Sequence, residues 1–191
     1  MRLDSEIYEF IIGEVINMLI TCDIKEYPID VYNVARKLGI CLRPYLPFGE
    51  ENEKLAKTSK DGFAVIIANK EYIYYDDSVQ ESRKRWTILH EIAHLVLGHK
   101  INSLLSCQDE RYLQETEAEA NYFAKYALAP LPLIRSIYPT CAEDIELRFK
   151  ISREASQYIY NLYRKWLRRH LNLGEKYSEY EQKLLCCAHV A

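Results

Sequence analysis

The sequence has no C-x-x-C pair and no cysteine framework spacing; its six cysteines stand at 22, 41, 107, 141, 186 and 187. That excludes a zinc ribbon and points to reduced thiols rather than a disulfide-built fold. There is no large charge excess. A net charge of −3 gives the whole chain no electrostatic footprint for nucleic acid or an acidic membrane. The first apolar stretch is interrupted by Glu6, Glu9 and Glu14, so neither a signal-peptide core nor a membrane span is expected, and the expected location is the cytoplasm. No internal repeat or low-complexity linker is visible. What is there is a chain of 191 residues, 49% apolar and 28% charged, a globular composition sufficient for one sizeable core.

Apolar residues at helical spacing (Ile7, Phe10, Ile11, Val15, Met18, Leu19) predict an amphipathic helix over 5–21. "YPIDVYNVARKLGI" reads as a second helix with Gly39 as its stop, followed by a short strand at "ICLRPY". The polar run 49–60 reads as a surface loop. Strands are expected at 62–68 and 71–76, joined by a two-residue turn at Asn69-Lys70. From 78 to about 169 the pattern is helical, with breaks near 98–108, at Pro130 and Pro132, and at 138–141. The last twenty residues carry no pattern strong enough to assign.

Within the helical part, "WTILHEIAHLVLGHK" contains His90, Glu91 and His94 in the H-E-x-x-H order of zinc peptidases. Four residues on a helix leave the two imidazoles about 40° apart on one face, where both can point at one ion. Two histidines buried on one stripe are costly unless something pairs them, and a shared metal does so. Glu91, rotated by about 100°, lies beside that face rather than on it, the position of a general base. The pattern S-x-x-E at Ser78 and Glu81 predicts a capping box at the start of this helix, and Gly98 a left-handed stop at its end.

A catalytic zinc site needs a third protein ligand and one open position. His99 lies just past the helix stop and reads as a surface residue. The better source is "ETEAEANYFAKYALAP", with Glu115, Glu117 and Glu119. On a helical wheel Glu117 continues the stripe of Ala120, Ala124, Ala127 and Leu128, which makes it the preferred inward-facing ligand. Thr116 and Glu119 fit a capping box, and Glu115 is most simply solvated; Glu119 stays as the alternative ligand. Asn121, one turn beyond Glu117, is a candidate to accept a hydrogen bond from the free ring N–H of a ligand histidine.

These two motifs in order, "RWTILHEIAHLVLGH" and "ETEAEANYFAKYALAP", resemble the ImmA/IrrE family of metallo-endopeptidases over roughly residues 60–165. The resemblance implies that the first Glu of E-x-E-A-N, here Glu117, is the third metal ligand. It also implies an intracellular endopeptidase whose substrate is a DNA-binding repressor. "YALAP" stands where many members have a Leu-Leu-Met-Pro ending, a change in packing residues only. The stretch "DIELRFKISREASQYIYNLYRKW" resembles the helix–turn–helix-like segment of the family. There Thr140 and Glu143 suggest a capping box, Ser152 a further cap, and Ala155, Ile159, Leu162 and Trp166 a buried stripe. Its basic residues fit cations on the last turn of a helix better than nucleic-acid contact.

The expectation is therefore an α+β, zincin-like metallopeptidase core with a small β-sheet and a C-terminal helical, helix–turn–helix-like segment. The peptidase domain is expected over residues 1–135 and the helical segment over 136–191, packed on the core. His90, His94 and Glu117 would hold zinc, with manganese as the alternative ion, and Glu91 would act as base on a protein substrate lying along a sheet edge. The rival reading is a metal-binding regulatory protein of helix–turn–helix type without peptidase activity.

Overall fold

The computed structural model describes residues 4–44, 61–99, 110–172, 174 and 176–190. The loop expected at 49–60, most of the break expected at 98–108, and Cys107 lie outside them. Among the described residues Cys41, Cys141, Cys186 and Cys187 are free thiols. No described helix is long and apolar enough to cross a membrane.

The fold is α+β and zincin-like, mostly helical with a small mixed sheet. It divides into two compact units, residues 1–11 with 31–124 and residues 12–30 with 125–191. The chain passes between them three times: inside helix α1 (Ser5–Thr21), between Asp30 and Val31, and inside helix α4 (Glu110–Leu128).

The first unit holds α2 (Val31–Lys37), β2 (Cys41–Pro44), β3 (Gly62–Ile67), β4 (Lys70–Tyr75) and α3 (Glu81–Val96). Its sheet has the order β2-β4-β3, with β2 parallel and β3 antiparallel to the central β4. The hairpin turn is Ala68-Asn69, one residue earlier than expected. Both have positive φ, 49° and 59°, and Ile67 pairs with Lys70. This is the primed turn whose twist suits a two-residue hairpin. Asn at the second position tolerates the left-handed region; the expected Asn-Lys turn would have put a lysine there.

Helix α3 packs on the hairpin. A Cβ on Gly62 would lie 2.5 Å from Thr87 Cγ2 and 2.8 Å from the Tyr74 carbonyl, so only glycine permits this strand–helix approach. Ile88, Leu89 and Ile92 are completely buried, each contributing about 1.5–3 kcal/mol of apolar transfer. The capping box expected at Ser78 and Glu81 does not form. Asp76 instead accepts hydrogen bonds from the Ser78 amide (2.8 Å) and hydroxyl (2.6 Å). The Glu81 carboxylate is engaged by the Tyr32 hydroxyl at 3.1 Å and by Lys84 at 3.3 Å. The helix begins one residue after Gln80, whose side chain makes no capping bond.

The second unit contains β1 (Glu26–Tyr27), α5 (Leu131–Ser136), α6 (Ala142–Phe149), α7 (Arg153–Asn172), α8 (Glu179–Cys187) and β5 (His189–Val190). Tyr27, Phe149, Ile16 and Leu133 are among its buried side chains, and the Tyr27 hydroxyl donates to the Ala127 carbonyl at 3.1 Å. Ser152 caps α7 as expected, accepting from the Ala155 amide at 3.2 Å. The cap of α6 is shifted by one residue: Asp144, not Glu143, reaches back to the Thr140 and Cys141 amides. The buried stripe of α7 is also rotated, with Ser156, Ile159 and Tyr163 inside and Ala155 and Leu162 only half-buried. The unassigned tail forms α8, started by a reciprocal Ser178–Glu181 capping box, and β5, which pairs parallel with β1.

Candidate metal centre

Everything at this site belongs to the first unit. Helix α3 turns the Nε2 atoms of His90 and His94 to the same place, 3.2 Å apart. Helix α4 brings Glu117 to them from the facing side, with Oε2 3.3 Å from His90 Nε2 and Oε1 3.5 Å from His94 Nε2. Ligand atoms at 2.0–2.2 Å from a tetrahedral zinc ion are separated by roughly 3.3–3.5 Å. Among the described residues these three form a group whose donor atoms all lie within 4.8 Å of one another. The donor set, two imidazoles and one carboxylate, fits a divalent ion with a position left for water.

Glu117 is not the inward-facing residue of the wheel argument. Its side chain is 57% exposed and stands at the mouth of the site, while Ala120, Phe123 and Ala124 take the buried stripe. Thr116 does not cap a helix here, because α4 already starts at Glu110. Its hydroxyl donates to the Tyr112 and Leu113 carbonyls instead. Glu115 is in an ion pair with Arg111 one turn earlier.

The protonation pattern follows from burial. Burial first, and the neighbouring His90 second, push the His94 imidazole down to about 4. The hydrogen bond from His90 holds the Glu117 carboxyl below its usual range. At neutral pH the pair is thus a neutral imidazole and a carboxylate, the forms that ligate a metal.

Glu91 lines a cavity of about 290 Å³ together with Arg83, Trp86, His90, Glu117 and Asn121. Burial raises its carboxyl above the ordinary value, opposed by His90 and by a hydrogen bond from the Ala64 amide. That amide comes from the outer edge of β3. The Asp76 amide donates to the Asp61 carbonyl, so residues 61, 63, 65 and 67 face β4 and Gly62, Ala64 and Ile66 face outward. The carboxylate and a strand edge therefore meet in one cavity. Arg83 and Asp61, which also line it, form an ion pair.

A family model for the IrrE N-terminal-like domain, a peptidase family, matches residues 35–159. The chain belongs to this family. No match was found among curated proteins.

In this IrrE-like domain two expectations about the surroundings of the candidate ligands need correction. Asn121 lines the cavity but sits on neither histidine ring: His90 Nδ1 is buried without a hydrogen-bond partner among the described residues, and His94 Nδ1 faces another imidazole. That imidazole is His99, which was expected at the surface. Its side chain is only 8% exposed, with Nδ1 2.9 Å from His94 Nδ1 and Nε2 3.0 Å from Glu119 Oε2. Glu119 thus points to His99 and not to the site where Glu117 stands. The spacing could have revealed His99. In a helix end with a left-handed glycine, the second residue past the helix returns over the helix's last turn.

Proposed function

We propose that this IrrE-like domain is a zinc-dependent endopeptidase of the cytoplasm that cleaves a helix–turn–helix DNA-binding repressor. The observation that carries the reading is the convergence of two imidazole nitrogens and one carboxylate at tetrahedral spacing, beside a buried Glu91 and a strand edge. His90, His94 and Glu117 hold the ion, zinc in preference to manganese because two nitrogen donors suit it. Zinc bound there supplies Lewis acidity toward water and the scissile carbonyl. Glu91 takes the proton of the attacking water and returns it to the leaving amine; a carboxyl raised by burial is suited to both steps. In this reading the protein substrate reaches Glu91 in extended form along the β3 side of the cavity. Residues 1–135 carry this chemistry in our reading, and residues 136–191 form the helical segment that accompanies it.

The repressor as substrate rests on the family resemblance. Its test is co-expression with a panel of helix–turn–helix repressors, followed by gel detection of a defined fragment. Wild type is expected to cut at least one repressor, and Glu91→Gln to cut none at equal zinc content. Cutting by Glu91→Gln at the wild-type rate would remove Glu91 from the base role. Cleavage of unrelated unfolded proteins, with every repressor left intact, would overturn the substrate.

A further inference from the structure

We propose that His99 and Glu119 form an outer buttress that holds His94 in one tautomer and so presents its Nε2 lone pair to the metal. The proposal deepens the reading above and rests on it, because it takes His90, His94 and Glu117 as the ligands.

The backbone puts His99 there. Gly98 has φ of +68°, its amide donates to the Leu95 carbonyl at 3.2 Å, and the His99 amide donates to the His94 carbonyl at 3.0 Å. These two bonds define a Schellman end, in which the residue after the left-handed glycine packs against the residue five positions earlier. The contact is usually apolar. Here it is imidazole on imidazole, with ring centroids 4.9 Å apart and planes at 71°.

Proton counting then sets the direction of the chain. Glu119 Oε2 is a carboxylate oxygen and can only accept, so His99 Nε2, 3.0 Å away, carries its proton. The proposal assigns the other ring nitrogen of His99, Nδ1, the acceptor role. The facing atom, His94 Nδ1 at 2.9 Å, must therefore be the donor. A neutral His94 with its proton on Nδ1 has a bare Nε2, the atom that faces His90 and Glu117. Carboxylate, imidazole and imidazole thus form one directed series, with each hydrogen bond setting the tautomer of the next ring. Side-chain exposures of 8% for His99 and 23% for Glu119 keep water from competing for these bonds. His90 has no such support among the described residues, where its Nδ1 is buried without a hydrogen-bond partner.

His99 is a positioning residue here, so the test reads metal affinity and tautomer and not turnover. Zinc dissociation constants would be measured by chelator competition on the full chain, and ring tautomers by long-range ¹⁵N–¹H correlation on the metal-free protein. Wild type is expected to carry the His94 proton on Nδ1. His99→Ala should move that proton toward Nε2 and weaken zinc binding about 10–100-fold. Glu119→Ala should weaken it in the same direction, and Glu119→Gln, whose amide oxygen still accepts from His99 Nε2–H, should recover most of the loss. A wild-type His94 with its proton on Nε2 would overturn the proposal, and so would a His99→Ala affinity equal to wild type. The wild-type spectrum and Glu119→Gln keep the test decisive where an alanine variant does not fold. Failure of the ligand reading has a separate signature: Glu117→Ala would then bind zinc as wild type does, whatever the His94 tautomer.

Discussion

His90 and His94 turn the same nitrogen toward Glu117, at 3.3 and 3.5 Å, yet their opposite nitrogens have different surroundings. His94 Nδ1 meets His99 and, through it, Glu119; His90 Nδ1 has no hydrogen-bond partner among the described residues, and its ring is tilted against Trp86 at a centroid distance of 6.5 Å. The inner convergence is a property of helical spacing alone. The outer difference arises because one histidine lies a turn from the end of α3 and the other in its interior. A helix end folds the chain back and can supply a polar neighbour; a helix interior offers only the elements packed against it.

The largest effect expected lies between the two histidines, at the residue that ligates nothing. Glu91→Gln should retain zinc and the fold while peptidase turnover falls by about 10²–10⁴-fold. Turnover measured at matched zinc content checks this, and parallel loss of zinc would mean that Glu91 supports the ligands directly. Next come the ligands. His90→Ala, His94→Ala and Glu117→Ala should each weaken zinc binding by more than about 100-fold, beyond the range of outer contacts. If His90→Ala binds zinc nearly as well as wild type, the inner symmetry of the pair is broken and His94 carries the site with Glu117.

A smaller effect tests the helix end. Among the described residues nothing lies within 4 Å of where a Gly98 Cβ would go, so Gly98→Ala is expected to cost the left-handed backbone, about 1–2 kcal/mol of stability. Denaturant unfolding should register that loss, together with a modest fall in zinc affinity as His99 shifts. The smallest effect is on the His90 side. Thr87 Oγ1 is buried without a hydrogen-bond partner among the described residues, so Thr87→Val should leave zinc affinity unchanged and change stability by less than about 1 kcal/mol. Weaker zinc binding in Thr87→Val would show that His90 does have outer support, and the contrast with His94 would narrow.

Two S-x-x-E patterns show how far local reading reaches. Ser178 and Glu181 form the reciprocal box that the pattern encodes, whereas Ser78 and Glu81 do not. Asp76 engages Ser78 from two residues upstream, and Tyr32 and Lys84 draw off Glu81. The tetrapeptide is the same kind of signal in both places, and the competing partners decide. The hairpin turn is a similar case, displaced by one residue to Ala68-Asn69 because the strand register puts Ile67 opposite Lys70.

The spacing of His90, Glu91 and His94, the helix that carries them and the left-handed stop at Gly98 follow from the sequence by itself, because each depends on chain geometry within a few residues. The pairing of Glu26–Tyr27 with His189–Val190 does not, since strands of two residues have too little periodicity to announce themselves. Nor does the division of labour among Glu115, Glu117 and Glu119. A wheel placed Glu117 on an apolar stripe and so inside, but the structure leaves it 57% exposed at the cavity mouth and turns Glu119 to His99. A helical wheel gives the angle of each side chain about its own axis. What stands opposite that angle is set by how α4 approaches α3 and by where Gly98 sends the chain, and only the tertiary structure contains those distances.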